Sequence, residues 1–398
     1  MQYALEGIKV IDFGDWLAGP YGTRLMADLG ASVIKIEPPG GLAIRPQNQS
    51  FVAHRTVNYI VRGQRDVVLD LKQPEGVEAA HRLIAEADIV AQNMRVGVAD
   101  RIGIGYEEVK RINPRAVYVF SPGFGAVGPR SHQPSFEPLN SAFAGIHYRS
   151  GGKGNPPAQG ISLDAYCGVI AACGAMMALL HRQKTGEGQY LDVSQLACAM
   201  YYTSETYRNA DGSLGPLPEL DSEQAGFGPM DRLYRTSDYW IAICCPKEDQ
   251  WRALCDALNL ASLPDDPRFR TEADRTANGE SLTGLLAERF RAHSAQEWFD
   301  MLDRADVPCE VPVQDGQAAF LQNPAYLDSG MVVEYPHPWW GLMRDIGHIF
   351  NFSETPGLIR WPAPQLGEHT VEVLKEAGYS DTEIQAMLET GAAYAAES

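Results

Sequence analysis

Short apolar runs alternate with amphipathic segments through the first half of the chain. Runs with the length and content of buried strands lie at 8–13, 32–36, 89–92 and 116–120. Segments with helical periodicity lie between them, at 21–29 and 74–87. This β-α-β order predicts a parallel or mostly parallel sheet covered by helices, and therefore an α/β fold with a Rossmann-like large domain.

The strongest predicted helix spans 165–183 and is rich in Ala, Leu and Met. It ends in Lys184-Thr185-Gly186, a basic last turn followed by glycine, as helix C-termini prefer. A further strand at 190–193 and a helix at 195–208 follow it.

The pattern changes at 209–230, which is rich in Gly, Pro and acidic residues and is typical of a long loop or linker. Beyond it, a smaller α+β unit is predicted from a strand at 239–244 and helices at 247–258, 281–292 and 295–303. Two helices at 370–377 and 381–389 close the chain. The predicted domains are a large one from 1–210 and 326–398, and a small one with linkers from 211–325.

Charge and composition narrow the class of function. The 398 residues carry a formal net charge of −18, which argues against nucleic-acid binding because phosphate contacts need a basic surface. The N-terminal residues lack the pattern of a signal peptide, and no run of about 20 apolar residues suggests a membrane span. We therefore expect a soluble cytoplasmic protein with no membrane contact.

The spacing of cysteines and histidines argues against a metal site and against a disulfide framework. The seven cysteines include no C-x-x-C pair, and the nine histidines are scattered without metal-binding spacing. No metal site is predicted.

One glycine motif at 123–128 has the spacing G-x-G-x-x-G directly after a predicted strand. A dinucleotide site would require a helix to open at the third glycine, but Pro129 and Pro134 follow closely. The motif therefore does not predict a nicotinamide cofactor. No G-x-S-x-G elbow is present, which argues against an α/β-hydrolase.

Many short segments together resemble the class III CoA-transferases, a family that includes formyl-CoA transferase, carnitine-related CoA-transferases and 2-methylacyl-CoA racemases. Matching segments, in the family's order, are 5–13 (LEGIKVIDF), 18–20 (AGP), 29–37 (LGASVIKIE), 69–72 (LDLK), 74–76 (PEG), 93–95 (NMR), 123–125 (GFG), 185–189 (TGEGQ), 192–194 (DVS), 266–269 (DPRF), 307–308 (VP) and 364–369 (PQLGEH). Each matching segment alone is weak evidence for the family, but their occurrence in the family's order over most of the chain is specific to it.

The resemblance implies that Asp164 is a nucleophile, since it stands just before the long Ala-rich helix. Asp164 could also serve only as the N-cap of that helix. Amides and the positive dipole end of the helix would hold its carboxylate ionised. The implied reaction moves coenzyme A from an acyl-CoA to a carboxylic acid acceptor through an aspartyl anhydride and an aspartyl-CoA thioester. Coenzyme A is then a substrate, and no tightly bound cofactor is expected.

Two further regions are implied as catalytic. Glu137 aligns with an active-site glutamate of formyl-CoA transferase, although it could be an ordinary acid at a helix start. Phe136 stands where the racemases have a histidine base, which argues against a racemase because Phe has no proton to transfer. Gly226 and Gly228 are predicted to belong to a mobile loop that shields the site, or simply to a linker.

The resemblance also implies residues along the CoA site: Leu17, Ala18, Leu71, Asn93, Met94 and Arg101. Arg45 and Arg65 are further phosphate candidates, with solvated surface positions as the alternative. Leu17 replaces a glutamine of formyl-CoA transferase, which argues against formate/oxalate exchange.

The family assembly implied is an interlocked homodimer. Two other classes of function stay open, namely an isomerase, racemase or lyase acting on a CoA thioester, and an inactive CoA- or NAD-binding protein.

Overall fold

The computed structural model describes residues 3–43, 45, 57, 59–160, 162–215, 217–338 and 340–396. The chain divides into two units. The first consists of Met1–Ala144, Ile161–Ser204 and Phe320–Ser398, and the second of Gly145–Gly160 and Glu205–Ala319. The second unit thus includes a segment from the first half of the chain, 145–160, that the predicted small domain (211–325) lacks.

The strands described are, in chain order, β1 (Lys9–Asp12), β2 (Ser32–Glu37), β3 (Arg65–Leu69), β4 (Ile89–Gln92), β5 (Val117–Phe120), β6 (Tyr190–Asp192), β7 (Gly226–Gly228), β8 (Asp231–Arg235), β9 (Trp240–Cys244), β10 (Cys309–Glu310), β11 (Val332–His337), β12 (Gly341–Ile346) and β13 (Ala393–Tyr394).

The α-helices described are α1 (Pro20–Asp28), α2 (Pro74–Ala85), α3 (Val98–Arg101), α4 (Tyr106–Ile112), α5 (Glu137–Phe143), α6 (Ile146–Gly151), α7 (Asp164–Thr185), α8 (Gln195–Tyr202), α9 (Glu248–Ala257), α10 (Glu272–Ala277), α11 (Gly279–Phe290), α12 (Ala295–Arg304), α13 (Gln317–Gln322), α14 (Pro324–Asp328), α15 (Thr370–Glu376) and α16 (Asp381–Thr390).

The main sheet of the first unit has the strand order β13-β3-β2-β1-β4-β5-β6. All neighbours from β3 to β6 pair in parallel, and β13 joins the β3 edge antiparallel. The parallel strands therefore follow the doubly wound Rossmann order 3-2-1-4-5-6, and the prediction of a Rossmann-like α/β fold is confirmed. The order reverses between β1 and β4. In such sheets ligands bind outside the carboxyl ends of the strands at this point.

Apolar side chains are buried on both faces of this sheet. Helices α2, α15 and α16 cover one face, while α1 and α7 cover the other. Helices α1 and α7 approach closely because glycines face each other. A Cβ on Gly22 would lie 2.6 Å from the carbonyl oxygen of Gly168, so a larger residue would push the helices apart.

Helix α7 extends beyond its predicted limits of 165–183 and stops at Gly186, whose φ of 85° favours glycine. By length and hydropathy it could also cross a membrane, a candidate that the sequence analysis did not anticipate. One face of the helix, including Cys167, Ala171 and Ala175, is buried against the main sheet, as in the core helix of a globular unit.

The second unit contains an antiparallel sheet in the order β10-β9-β8-β7, with its own core around Trp251, Phe290 and Trp298. The segment 209–230, predicted to be a loop, ends in the short strand β7. Pairing of β7 with β8 requires Gly226, since a Cβ there would lie 2.1 Å from the Cβ of Arg232.

Candidate active site

The carboxyl ends of the central strands bring together several residues that the sequence analysis assigned to CoA. Leu17 and Ala18 follow β1, Leu71 follows β3, and Asn93 and Met94 follow β4. Because parallel strands end at one edge of the sheet, these residues share that edge. Leu17, Leu71 and Met94 are partly buried and Ala18 is buried, so this edge offers mainly apolar surface.

Asn93 joins the two loops that flank the reversal of strand order. Its Oδ1 accepts a hydrogen bond from the amide of Asp15 at 2.8 Å, and its Nδ2 donates to the carbonyl of Asp15 at 2.7 Å. A Cβ on Gly19 would lie 3.3 Å from the Asn93 side chain, so this contact also favours a glycine there. Asn93 therefore holds the shape of the crevice.

Asp164 is the first residue of α7, and the N-cap position belongs to Leu163. The alternative in which Asp164 is the N-cap is therefore wrong. Its half-buried carboxylate accepts a hydrogen bond at Oδ1 from Nε2 of Gln195 at 2.8 Å. Among the described residues, its Oδ2 has only a long contact, at 3.4 Å, with the hydroxyl of Ser162. One carboxylate oxygen is thus held firmly, while the other is weakly bound.

The electrostatics of Asp164 differ from the sequence-based expectation. Burial, with a further contribution from the charge of Glu137, raises the pKa of Asp164 from its ordinary value of 3.8 to about 6. Hydrogen bonds from Ser162 and Gln195 act in the opposite direction but are weaker. Asp164 is therefore less acidic than an exposed aspartate, contrary to our expectation from the helix dipole, although most of it is ionised at pH 7.

Glu137 is the first residue of α5 and only 6% exposed. It accepts a hydrogen bond from the hydroxyl of Ser141, one helical turn later. Its charge acts on the pKa of Asp164, so the fold brings two carboxyl groups from distant segments into one site. Like charges at close range disfavour joint ionisation, a common feature of reactive carboxylate pairs.

Sequence reasoning missed the amide side chains beside Asp164. Gln195 begins α8 directly after β6, and its Oε1 accepts a hydrogen bond from Nδ2 of Asn140 at 2.9 Å. Nδ2 of Asn140 also donates to the hydroxyl of Ser135 at 2.7 Å. A polar residue at the start of a helix, directly after a strand that ends at the ligand edge, was the available signal for Gln195.

The loop after β1 carries a second missed residue, Trp16. Its φ of 57° is unusual for a residue other than glycine, and its ring packs edge to face on Phe136 with centroids 5.3 Å apart. Both rings are about half exposed. The contact connects the loop of Leu17 with the segment that leads into Glu137.

The predicted phosphate-binding arginines have different surroundings. Arg45 donates to Glu37 at 2.7 Å and to Asp66 at 3.1 Å, and both carboxylate side chains are fully buried. Burial and the neighbouring charge of Glu37 raise the pKa of Asp66 well above its ordinary value, so the charge that Arg45 neutralises is chiefly that of Glu37. A guanidinium held in this way is a poor phosphate ligand. Arg65 pairs with two glutamates of α15. Arg101 is exposed and has no ion pair with any described residue, so it stays a predicted phosphate contact.

Gly226 and Gly228 belong to β7 in the second unit, where Gly226 is buried and Gly228 half-buried. Phe227 between them is about half exposed, with the guanidinium of Arg149 5.3 Å from its ring centroid. A short strand with a β-bulge at this pairing replaces the predicted loop. A role for these glycines in shielding the site stays a prediction.

Two other findings bear on cofactors. The glycine motif at 123–128 is followed by turns, and the next helix begins only at Glu137, so the motif does not form the dinucleotide-binding turn. Within the described ranges, no group of three or more His, Cys, Asp or Glu side chains is placed to hold a metal ion.

Comparison with known proteins identifies the family. A family model described as CoA-transferase family III matches residues 5–370. The chain belongs to CoA-transferase family III. The predictions of the family and of a CoA-transferase of this class are thereby confirmed.

Curated relatives of this family III chain cover nearly its full length. An acetyl-CoA:oxalate CoA-transferase from Acetobacter aceti is 33% identical over 93% of this chain and 95% of its own length. A succinyl-CoA:glutarate CoA-transferase from Homo sapiens is 29% identical over 97% of this chain and 89% of its own. A succinyl-CoA:mesaconate CoA-transferase from Haloarcula marismortui is 32% identical over 94% and 96%.

Solved structures share the fold. A CaiB/BaiF family protein from Brucella suis has a TM-score of 0.77 and 26% identity, covering 95% of this chain and 100% of that one. A point mutant of Rv3272 from Mycobacterium tuberculosis has a TM-score of 0.80 at 24% identity, covering 94% and 98%.

Proposed function

We propose that this family III protein transfers coenzyme A from an acyl-CoA thioester to a carboxylic acid, with Asp164 as the covalent nucleophile. The observation that carries the proposal is the state of the Asp164 carboxylate. It is half-buried at the ligand edge of the sheet, one oxygen is weakly bound, and its pKa of about 6 leaves it mostly ionised at neutral pH while keeping it more basic than an ordinary aspartate.

The chemistry conserves the acyl bond energy through four exchanges. Asp164 attacks the thioester carbonyl and expels CoA thiolate, which gives an acyl-aspartyl anhydride. The thiolate then attacks Cγ of Asp164 and releases the donor acid, leaving an aspartyl-CoA thioester. The acceptor carboxylate attacks the same carbon, and the thiolate finally takes the new acyl group from the mixed anhydride, which restores Asp164.

The surroundings of Asp164 supply parts of this reaction. The negative charge of Glu137 makes the Asp164 carboxylate more basic, because it destabilises the ionised form before substrate binds. Leu17, Ala18, Leu71, Asn93 and Met94 are proposed to line the pantetheine and adenine path of CoA, and Arg101 to meet a phosphate.

The relatives support a dicarboxylic acid as acceptor, since their names specify oxalate, glutarate and mesaconate. Their donors are acetyl-CoA and succinyl-CoA. Leu17 argues against oxalate, because an apolar side chain there offers no hydrogen bond to a small diacid. We therefore propose succinyl-CoA and a longer diacid as the first pair to examine.

Mass spectrometry tests the nucleophile. The protein is incubated with acetyl-CoA or succinyl-CoA, quenched with hydroxylamine or borohydride, and digested. We expect a mass change on the peptide that contains Asp164. It should be absent in Asp164→Asn and present in the control Glu187→Gln, which changes an exposed carboxylate just beyond the other end of α7. Turnover of a CoA thioester by Asp164→Asn, with no adduct in the parent protein, would instead favour proton-transfer chemistry such as racemisation.

We also propose that the protein is a homodimer. Two helices of the first unit, α7 and α8, expose a group of large apolar side chains: Met177, Leu180, Met200, Tyr201 and Tyr202. Exposed apolar surface of this kind marks association sites, and the homodimer that the family resemblance implies would cover it. Light scattering after size exclusion should give twice the chain mass of 43.7 kDa, whereas a mass of one chain would refute the proposal.

A further inference from the structure

The amide of Gln195 contacts an atom that changes its charge in the proposed reaction. Its Nε2 donates at 2.8 Å to Oδ1 of Asp164, whereas the contact of Oδ2 within the described part of the chain is the 3.4 Å one with Ser162. The oxygen with the longer and weaker hydrogen bond is the better nucleophile. Oδ2 is therefore the atom that attacks the thioester, and Oδ1 is the atom that stays on Cγ as the carbonyl oxygen.

The hydrogen-bond network determines which end of Gln195 faces Asp164. An ionised carboxylate only accepts hydrogen bonds, so the NH₂ group of Gln195 must point toward it. The carbonyl end of Gln195 then faces Asn140, whose Nδ2 donates to it at 2.9 Å. Asn140 is 1% exposed, and the second hydrogen of its Nδ2 is donated to the hydroxyl of Ser135 at 2.7 Å. The donor is thus fixed before any substrate binds.

We propose that Gln195 is a catalytic residue, the hydrogen-bond donor to the oxyanion that forms on Oδ1 of Asp164 each time Cγ is attacked. This inference rests on the proposed nucleophilic role of Asp164. Attack of CoA thiolate on the anhydride, and attack of the acceptor carboxylate on the aspartyl-CoA thioester, both place the negative charge on Oδ1. A preorganised donor there stabilises both transition states more than the resting carboxylate.

The same contact makes the two carboxylate oxygens inequivalent. In each turnover the donor acid leaves with Oδ2, and the acceptor supplies the oxygen that replaces it, while Oδ1 stays on Asp164 throughout. Without Gln195 the carboxylate would rotate between turnovers, and either oxygen would become the nucleophile.

Isotope labelling tests this inference. The enzyme turns over acetyl-CoA with [¹⁸O]acetate or succinyl-CoA with [¹⁸O]succinate, so that donor and acceptor are the same acid, and the Asp164 peptide is weighed after the first few turnovers. We expect one ¹⁸O atom in most of the parent protein and two in most of Gln195→Leu. We also expect kcat to fall about 100-fold or more in Gln195→Leu, the loss typical of one oxyanion donor. The control Gln183→Leu, at an exposed position of α7, should behave as the parent.

The outcomes separate the two proposals. If neither acid places ¹⁸O in the parent protein, the anhydride route itself is wrong. If label enters Asp164, but the parent and Gln195→Leu carry the same distribution of one and two ¹⁸O atoms, the role of Gln195 is refuted. An unchanged kcat in Gln195→Leu refutes it as well. Should Gln195→Leu fail to fold, the isosteric Gln195→Glu replaces it. Its carboxylate cannot donate when ionised, so we expect the same kcat loss at pH 8 and a smaller loss, relative to the parent at the same pH, when the pH is lowered.

Discussion

Replacing Glu137 with glutamine changes one charge in the site and little else. Glutamine has the same shape and can still bond to the hydroxyl of Ser141. The charge of Glu137 is the second cause, after burial, of the raised pKa of Asp164. We therefore expect the pKa of Asp164 in Glu137→Gln to fall below 6 but to stay above 3.8, because the burial persists.

The size of the effect follows from the ionised fraction of Asp164. With a pKa of about 6, about one tenth of Asp164 is ionised at pH 5, whereas an aspartate with the ordinary value would be more than about nine tenths ionised. If the carboxylate is the nucleophile, kcat/KM of the parent should fall as the pH drops through 6. At pH 5 it should be about one tenth of its plateau. Glu137→Gln should retain a clearly larger share of its own plateau at pH 5.

The assay is the initial rate of acyl-CoA formation with the acceptor acid between pH 4.5 and 8. Substrate titration, including the CoA phosphates, is common to all the enzymes and cancels in the comparison. Each profile is normalised to its own plateau. A direct catalytic role of Glu137 would lower the plateau rate, whereas a change in the pKa of Asp164 moves the midpoint of the acid limb. Glu107→Gln removes an exposed charge from α4 and should leave the profile unchanged. A parent profile that stays flat down to pH 5, or the same acid limb in the parent and in Glu137→Gln, would refute the reasoning.

Two further predictions concern residues that the sequence assigned to the site. Arg45→Met removes the cation between the buried Glu37 and Asp66 and should lower the free energy of unfolding by about 3–5 kcal/mol. A large rise of KM for acyl-CoA with normal urea unfolding would show instead that Arg45 binds phosphate. Gly226→Ala should cost about 1–3 kcal/mol in the same assay because its Cβ would overlap β8. In the control Gly228→Ala a Cβ meets no atom within 4 Å, and equal losses in both variants would contradict this account.

The local pattern was enough to predict most elements of the first unit. The buried strands β1, β2, β4 and β5 were predicted from short apolar runs, whereas the buried strand β3 was not predicted. Helix α7 was predicted to within two residues at its C-terminal end because its composition and Gly186 act locally. The strand β7 was missed, since three residues with two glycines have no strand pattern. Their pairing depends on β8, and a contact between strands does not appear in the local sequence.

The site was only partly predictable for the same reason. The resemblance selected Asp164 and Glu137, and the order of strands and helices implied the edge of the sheet where Asn93 lies. The amide of Gln195 could not be assigned, because its role depends on a contact with Asp164 across 31 residues of chain. The surroundings of Arg45 were likewise invisible, since Asp66 and the carbonyl of Pro364 reach it only in the folded chain.

The sequence by itself determined the periodicity of the helices and strands and the family, and it singled out Asp164 as the proposed nucleophile. These are properties of residue types and their order. Only the tertiary structure decided that Asp164 has a pKa of about 6, that Oδ1 rather than Oδ2 is held by an amide, and that Arg45 is paired with the buried Glu37. Burial, charge proximity and hydrogen-bond geometry arise from residues distant in the chain, and packing alone sets the distances that control them.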